Sequence, residues 1–124
     1  MTVPSEHVEQ RNFVSQWRKA RPERIFAIPN GEQRSKSIGA RLKLEGVSPG
    51  VPDLCVPELW LWIEMKRQEG GSVSRAQHDW LDYLRAVGHT CIVAKGCEDA
   101  WKQIEQAGIA RYSQKVLAPK RGGG

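Results

Sequence analysis

Three side chains in the middle of the chain have the types and spacing needed for phosphodiester chemistry. Glu64 and Lys66 stand two residues apart in an apolar run, so on a strand both side chains leave the same face, about 6–7 Å apart at their bases. Asp53 begins the preceding apolar run, and a hairpin that turns near residues 57–59 places it opposite Glu64. We therefore expect two carboxylates and an ammonium group to meet at one end of a sheet.

Such a cluster suits a metal site. Two carboxylates bind a hard cation such as Mg²⁺ or Mn²⁺, which also takes a phosphate oxygen as a ligand. The backbone carbonyl of Met65 adds a further ligand if the end of the strand is used. The cation would lower the pKa of water and neutralise charge that develops on a phosphate, while Lys66 orients the water or stabilises the charged transition state. This chemistry fits phosphodiester hydrolysis.

The same three residues also have a purely structural interpretation. Asp53 is then a turn residue, and Glu64 and Lys66 form an ordinary solvated salt bridge. Trp60 and Trp62 continue the face predicted for Glu64 and Lys66, and large aromatic side chains are usually buried. We therefore do not expect that face to be fully solvated.

Apolar spacing, caps and breakers predict the elements that hold the cluster. Their order is helix, strand, helix, strand, strand, helix, strand, helix, which indicates an α/β domain with a mixed four-stranded sheet flanked by helices. The hairpin makes part of the sheet antiparallel, and the strand–helix–strand unit over 60–94 should add a parallel pair through a right-handed crossover. The predicted strands cover 24–28, 53–56, 60–66 and 90–94. The first two predicted helices cover 5–20 and 32–45, and the last runs from Glu98 to Gly108. The third predicted helix runs from the capping-box pattern Ser74-x-x-Gln77 to Gly88, with an apolar stripe formed by Trp80, Leu81, Leu84 and Val87.

Composition narrows the class of protein. A chain of 124 residues fits one domain with its own core, and 19 Lys and Arg against 14 Asp and Glu give a charge of +5, which suits a polyanionic partner. No apolar run approaches the length of a membrane span, and the first five residues show no secretory signal pattern. The three cysteines lack a C-x-x-C spacing, so we expect buried thiols in a reducing cytosol.

Basic residues concentrate in one part of the chain. Between Arg18 and Lys43 there are eight basic and two acidic residues. Such side chains contact phosphates without reading sequence, although a solvated helix face is the ordinary alternative. The three histidines have no metal-ligand spacing and are given no role. The predicted DNA contacts are Arg34, Lys36, Arg41 and Lys43.

Separated sequence blocks resemble one nuclease family in order. They are Gly50-Val51-Pro52-Asp53-Leu54, Leu61-Trp62-Ile63-Glu64-Met65-Lys66, Gly70-Gly71-x-Val73-Ser74-x-x-Gln77 and Trp80-Leu81-x-x-Leu84-x-x-x-Gly88. Together they resemble the virus-type replication-repair nuclease (VRR-Nuc) family of the PD-(D/E)xK, restriction-endonuclease-like superfamily. The Pro29-Asn30-Gly31 turn and the 34–46 stretch resemble phage-borne standalone members, and the resemblance covers about residues 5–105.

The resemblance implies a restriction-endonuclease-like core over residues 1–112, followed by a basic, glycine-rich tail over 113–124 that we expect to be disordered. It implies that Asp53 and Glu64 are the metal-binding acids and Lys66 the catalytic lysine. The family also uses an acid from the first helix. Glu6 lies near the centre of the apolar stripe and Glu9 at its edge, so we favour Glu6, which otherwise only complements the helix dipole.

Gln77 has two interpretations at this stage. The family pattern has a glutamine at this position, which suggests support of the site. The capping box explains the same residue without chemistry.

The resemblance also implies a function. It suggests a Mg²⁺- or Mn²⁺-dependent endonuclease that acts on DNA, with homodimers that cut branched substrates such as four-way (Holliday) junctions. The setting would be replication or repair in the cytoplasm of a bacterium or of a phage-infected host. The alternatives are a catalytically idle DNA-binding module with the same fold and a small protein–protein adaptor that uses its five tryptophans.

Overall fold

The computed structural model of the chain describes residues 2–29 and 35–109. The predicted tail over 113–124 and most of the Pro29-Asn30-Gly31 turn lie outside them. No helix in these two ranges has the length and apolar character of a membrane span. The elements in chain order are α1 (Glu6–Ala20), β1 (Phe26–Ala27), α2 (Lys36–Leu44), β2 (Leu54–Val56), the 3₁₀ turn Pro57–Leu59, β3 (Leu61–Lys66), α3 (Arg75–Ala86), β4 (Thr90–Lys95) and α4 (Cys97–Gln106).

The sheet has the order β1-β2-β3-β4. β1 and β3 each pair antiparallel with β2, and β4 pairs parallel with β3. The main core lies between the sheet and the helices α1 and α4, and a smaller apolar cluster joins the opposite face of the sheet to α3. The prediction of a mixed four-stranded sheet flanked by helices is therefore confirmed.

β3 is the strand on which the core is built. Leu61, Ile63 and Met65 are fully buried against α1 and α4, as the period-two pattern predicts. Trp62 points to the other face and packs in the cluster of α3. The side chains of Glu64 and Lys66 follow Trp62 on this second face. The alternation therefore puts the charged residues on the α3 side of the sheet and leaves the α1 side apolar.

Trp60 corrects the predicted start of this strand. It has a left-handed φ of 53° and ends the 3₁₀ turn, so β3 begins at Leu61. The side chain of Trp60 is 62% exposed and does not share the buried face of Glu64. Val87 is also mostly exposed, because it caps the C-terminus of α3 and does not extend its apolar stripe.

Two further boundaries differ from prediction. The strand predicted over 24–28 is only the two-residue β1, which lies at the edge of the sheet. The second helix starts at Lys36 and not at Glu32, because Ser35 has an extended backbone and its side chain accepts a hydrogen bond from the Ile38 N–H at 3.3 Å. No residue of α2 is buried, so this helix lies on the surface of the domain.

Gly50 fixes the approach of the segment that leads into β2. Its φ is +90°, a region that side chains disfavour. A Cβ atom at this position would lie 2.8 Å from the backbone nitrogen of Gln77 and would overlap the Ala76 carbonyl group. The loop before Asp53 therefore packs directly on the first turn of α3, which only glycine allows.

Replacing Gly50 tests this close approach. Gly50→Ala should destabilise the domain by about 1–2 kcal/mol from the positive φ and by about 1–3 kcal/mol more from the overlap with α3. Gly70→Ala is the matched control, because Gly70 has a φ of +78° and open space around its Cβ position. Urea unfolding measures both variants. Equal losses of stability in the two variants would show that the contact with α3 contributes nothing.

Candidate active site

The site lies where β2 begins and β3 continues alone. Leu54 pairs with Ile63, so the last three residues of β3 extend beyond the β2 ladder. The Met65 N–H donates a hydrogen bond to Asp53 Oδ2 at 2.8 Å, in place of a backbone partner. This bond holds Asp53 opposite Glu64, as the hairpin register predicts.

Glu64, Lys66 and Gln77 form one buried polar network. Gln77 Nε2 donates to Glu64 Oε2 at 2.9 Å, and Lys66 Nζ donates to Gln77 Oε1 at 2.9 Å. Lys66 Nζ also lies 3.5 Å from Glu64 Oε2, and the two side chains are only 7% and 2% exposed. The pair is therefore not the solvated surface salt bridge of the structural interpretation.

Gln77 combines the two roles that sequence left open. Its Oε1 accepts from the Ser74 N–H at 2.8 Å, while Ser74 Oγ accepts from the Gln77 N–H at 3.2 Å, which completes the capping box of α3. The same side chain contacts Glu64 and Lys66. The start of α3 and the polar network are thus built on one residue.

The two acids of α1 are separated by the fold. Glu9 is buried, and its carboxylate accepts from the Cys97 N–H at 3.0 Å and from Gln68 Nε2 at 2.7 Å, so it anchors the start of α4. Glu6 is half-buried near Asp53, and its charge helps to raise the pKa of Asp53. The charge of Glu6 therefore acts on Asp53, whereas the carboxylate of Glu9 binds the start of α4.

The two carboxylates of the cluster repel each other. Burial and then the negative charge of Asp53 raise the pKa of Glu64 to about 8. Burial is also the main cause that raises the pKa of Asp53. Glu64 Oε1 is buried and has no hydrogen-bond partner among the described residues. Lys66 offsets only part of this unfavourable charge, so a further positive charge beside the two carboxylates would stabilise their ionised forms.

These observations fit a hard divalent cation. All the available ligands are oxygens: the Asp53 carboxylate, the unpaired Glu64 Oε1 and the Met65 carbonyl. That carbonyl faces the Asp53 edge because the N–H and C=O of one strand residue point to the same neighbour. Within the described residues no group of three or more His, Cys, Asp or Glu side chains could hold a metal. Mg²⁺ commonly uses one or two carboxylates and keeps several waters, so two acids are sufficient.

The four predicted DNA contacts do not form one described surface. Arg34 lies outside the described residues. Lys36, Arg41 and Lys43 are exposed on α2, but at about 100° per residue Lys36 and Lys43 share a face and Arg41 does not. Sequence reasoning did not single out the basic face of α1, where Arg11, Arg18 and Lys19 line a groove. Their helical spacing in the sequence was the available signal.

One known structure resembles this fold closely. A solved structure described as a VRR_NUC domain protein matches 86% of this chain and 89% of its own, with a TM-score of 0.71. The chain has the VRR-Nuc fold. The sequence identity is 24%, so the likeness defines the fold, while the chemistry rests on the residues of this chain. No family model matches the sequence, and no curated protein matches it.

The VRR-Nuc fold confirms the predicted restriction-endonuclease-like core. The positions of Asp53, Glu64 and Lys66 at the end of the hairpin are given by the strand register of this chain. Their catalytic and metal-binding roles stay predictions, as does the role of Glu6.

The pKa of Glu64 generates a prediction on stability. Because the folded pKa of about 8 exceeds the ordinary value of 4.5, the folded protein holds a proton that the unfolded chain releases. Stability from this group is therefore present below about pH 4.5 and is lost as the pH rises to about 8. The Gln side chain in Glu64→Gln stays neutral at every pH. The free energy of unfolding of this variant, relative to that of the wild-type protein, should therefore grow with pH. The gain should reach at least about 1 kcal/mol at pH 8, since one pKa unit corresponds to about 1.4 kcal/mol.

Urea unfolding in EDTA at pH 5 and pH 8 measures this difference. Glu105→Gln, at an exposed position of α4, is the matched control and should show no growth with pH. A difference between Glu64→Gln and the wild-type protein that is the same at both pH values would contradict the proposed charge repulsion.

Proposed function

We propose that this chain is a metal-dependent endodeoxyribonuclease. The observation that carries the proposal is the pairing of half-buried Asp53 with buried Glu64, which has an unpaired carboxylate oxygen, beside the ammonium group of Lys66. The likeness of the fold to a VRR_NUC domain protein supports the same assignment.

The residues of the site have separate tasks in this proposal. Asp53 and Glu64, with the Met65 carbonyl, would hold Mg²⁺ or Mn²⁺, and Glu6 adds negative charge that favours a cation. When bound, such an ion lowers the pKa of water and neutralises charge that develops on the phosphate. Lys66 orients the attacking water or stabilises the charged transition state. Gln77 fixes Lys66 and Glu64 relative to each other.

The arrangement of Lys66 argues for a chemical role. Its ammonium group is buried and held at two points, so its position is defined before any substrate binds. A positioned charge stabilises a transition state more than a mobile one, because no reorganisation is needed at the moment of reaction. A lysine on the solvated face of a strand would not have this property.

We further propose that the substrate is branched DNA, such as a four-way junction, and that the active form is a homodimer. A twofold dimer presents two equivalent sites, which suits a symmetric junction. The charge of +5 and the exposed basic residues of α2 support binding to DNA phosphates. Light scattering should give the mass of two chains at concentrations that cleave DNA. Full activity at the mass of one chain would remove the dimer from the proposal.

The main alternative is an idle DNA-binding module. It is favoured by the hydrogen bond from Gln77 and the salt bridge with Lys66, which give Glu64 Oε2 its partners without a cation. The unpaired Glu64 Oε1 argues against it, because a buried oxygen in a purely structural network normally finds a partner.

Cleavage of labelled DNA separates the two functions. Four-way junction, flap, linear duplex and single strand are each incubated with Mg²⁺, Mn²⁺ or EDTA. The wild-type protein should cut in the presence of metal only, and the junction should be cut best. Lys66→Ala and Asp53→Asn should lower the rate about 100-fold or more and leave DNA binding intact.

Lys95→Ala is the matched control for this experiment. Lys95 pairs in register with Lys66 across β3 and β4, but its side chain is exposed. This variant should cut like the wild-type protein. Binding without any cutting by the wild-type protein would establish the idle module, and unchanged cutting by Lys66→Ala would remove that lysine from the chemistry.

A further inference from the structure

A basic groove runs along α1 beside the edge strand β1. Its volume is about 560 Å³, and we call it the α1 groove. The lining side chains include His7, Gln10, Arg11, Arg18, Lys19 and Phe26. None of the described lining residues is acidic, and none of the three cations forms a salt bridge with a residue that the structure describes. The groove therefore presents uncompensated positive charge.

The groove starts next to the candidate active site. Ala27 of β1 lines the groove and pairs with Leu54, the residue after Asp53, and the Ile28 N–H donates to the Asp53 carbonyl oxygen at 2.8 Å. From Glu6 to Arg18 the helix advances about 18 Å at 1.5 Å per residue. That distance accommodates several nucleotides of one strand, since a strand in a duplex already advances about 3.4 Å per nucleotide and an unpaired strand can extend further. A strand whose phosphate lies at Asp53 and Glu64 can thus continue along α1.

Phe26 distinguishes a single strand from a duplex. It lies on β1 at the wall of the groove, and its side chain is 47% exposed although it is a large apolar ring. An exposed aromatic ring beside a positively charged groove is the combination on which unpaired bases stack. In a duplex the bases are stacked on each other, so they are not available to stack on Phe26. The volume of the groove is sufficient for groups the size of a nucleotide.

We propose that the α1 groove binds a single-stranded segment of the nucleic-acid substrate, next to the bond that is cut. Arg11 and Arg18 contact its phosphates, and Phe26 stacks on a base. The proposal rests on the nuclease function for the position of the strand. It extends that function to branched substrates that carry an unpaired arm, such as a flap, and names that arm as the part of the substrate that this surface recognises.

Binding in EDTA tests the groove without cleavage. Fluorescence anisotropy measures the affinity for a labelled single-stranded oligonucleotide and for a blunt duplex. The double variant Arg11→Ala/Arg18→Ala should weaken single-strand binding at least about 10-fold. It should also reduce the slope of log K against log salt by about 1.4, since each phosphate contact contributes about 0.7.

Lys95→Ala/Lys102→Ala is the charge-matched control. It also removes two positive charges, but from exposed positions of β4 and α4 at the opposite edge of the sheet. Single-strand affinity should change less than twofold in this variant. An equal loss in both double variants would overturn the proposal, because the effect would then belong to net charge and not to the groove.

Phe26 variants test the single-strand assignment. Phe26→Leu should weaken single-strand binding about 5-fold or more and leave the salt slope unchanged, because it removes the stacking ring but no charge. Phe26→Trp should retain the single-strand affinity of the wild-type protein. Blunt-duplex binding should be unchanged in both variants. Equal loss of single-strand and duplex affinity, or no loss in Phe26→Leu, would overturn the assignment. Urea unfolding of each variant confirms that the fold is intact.

The two proposals fail in different ways. If the wild-type protein does not cut DNA with metal but binds single strands through the α1 groove, the nuclease proposal is removed and the groove remains a single-strand site. Cleavage with full affinity in the Arg11→Ala/Arg18→Ala variant leaves the nuclease and removes the groove.

Discussion

The hydrogen bond from the Met65 N–H to Asp53 Oδ2 is the interaction on which the site depends. The pairing between β2 and β3 stops at Leu54 and Ile63, so the last residues of β3 have no backbone partner on the β2 side. An unpaired backbone N–H in a buried strand is unfavourable, and the Asp53 carboxylate satisfies it. The same bond brings half-buried Asp53 next to buried Glu64, so two acids become neighbours.

The surrounding structure holds this unfavourable pair in place. Gly50 lets the chain before Asp53 pack on α3, and Gln77 joins the first turn of α3 to Glu64 and Lys66. These contacts fix the side chains but do not neutralise them, because the pKa of Glu64 stays near 8 beside Lys66. A site with strongly shifted pKa values and an unpaired oxygen is typical of binding or catalysis more than of structural support.

Much of the site could be predicted from sequence because it depends on strand register. The spacing of Asp53, Glu64 and Lys66 around a short hairpin determines which side chains share a face, and a period of two leaves little freedom. Gln77 was predictable in position from the capping box, but its contact with Lys66 depends on the packing of α3 against the sheet. Helical angles favoured Glu6 by placing Glu9 at the edge of the apolar stripe, yet Glu9 is the buried acid of α1 and Glu6 is only half-buried, so the choice between them stays a prediction.

Other features were outside the reach of sequence patterns. Trp60 stands next to an apolar strand, yet the tight 3₁₀ turn forces it into a left-handed conformation and out of the sheet. β1 is only two residues long, although the apolar run over 24–28 predicted a longer strand. Helical spacing could have shown that Arg11 and Arg18 share a face, but the α1 groove itself depends on the packing of β1 beside α1.

The most direct test of the central claim is the location of a bound Mn²⁺ ion by anomalous diffraction from crystals grown with the metal. The account predicts one strong peak that is coordinated by the carboxylates of both Asp53 and Glu64. A peak at another position, or none at saturating Mn²⁺ in crystals that diffract well, would contradict a metal-dependent site at these residues.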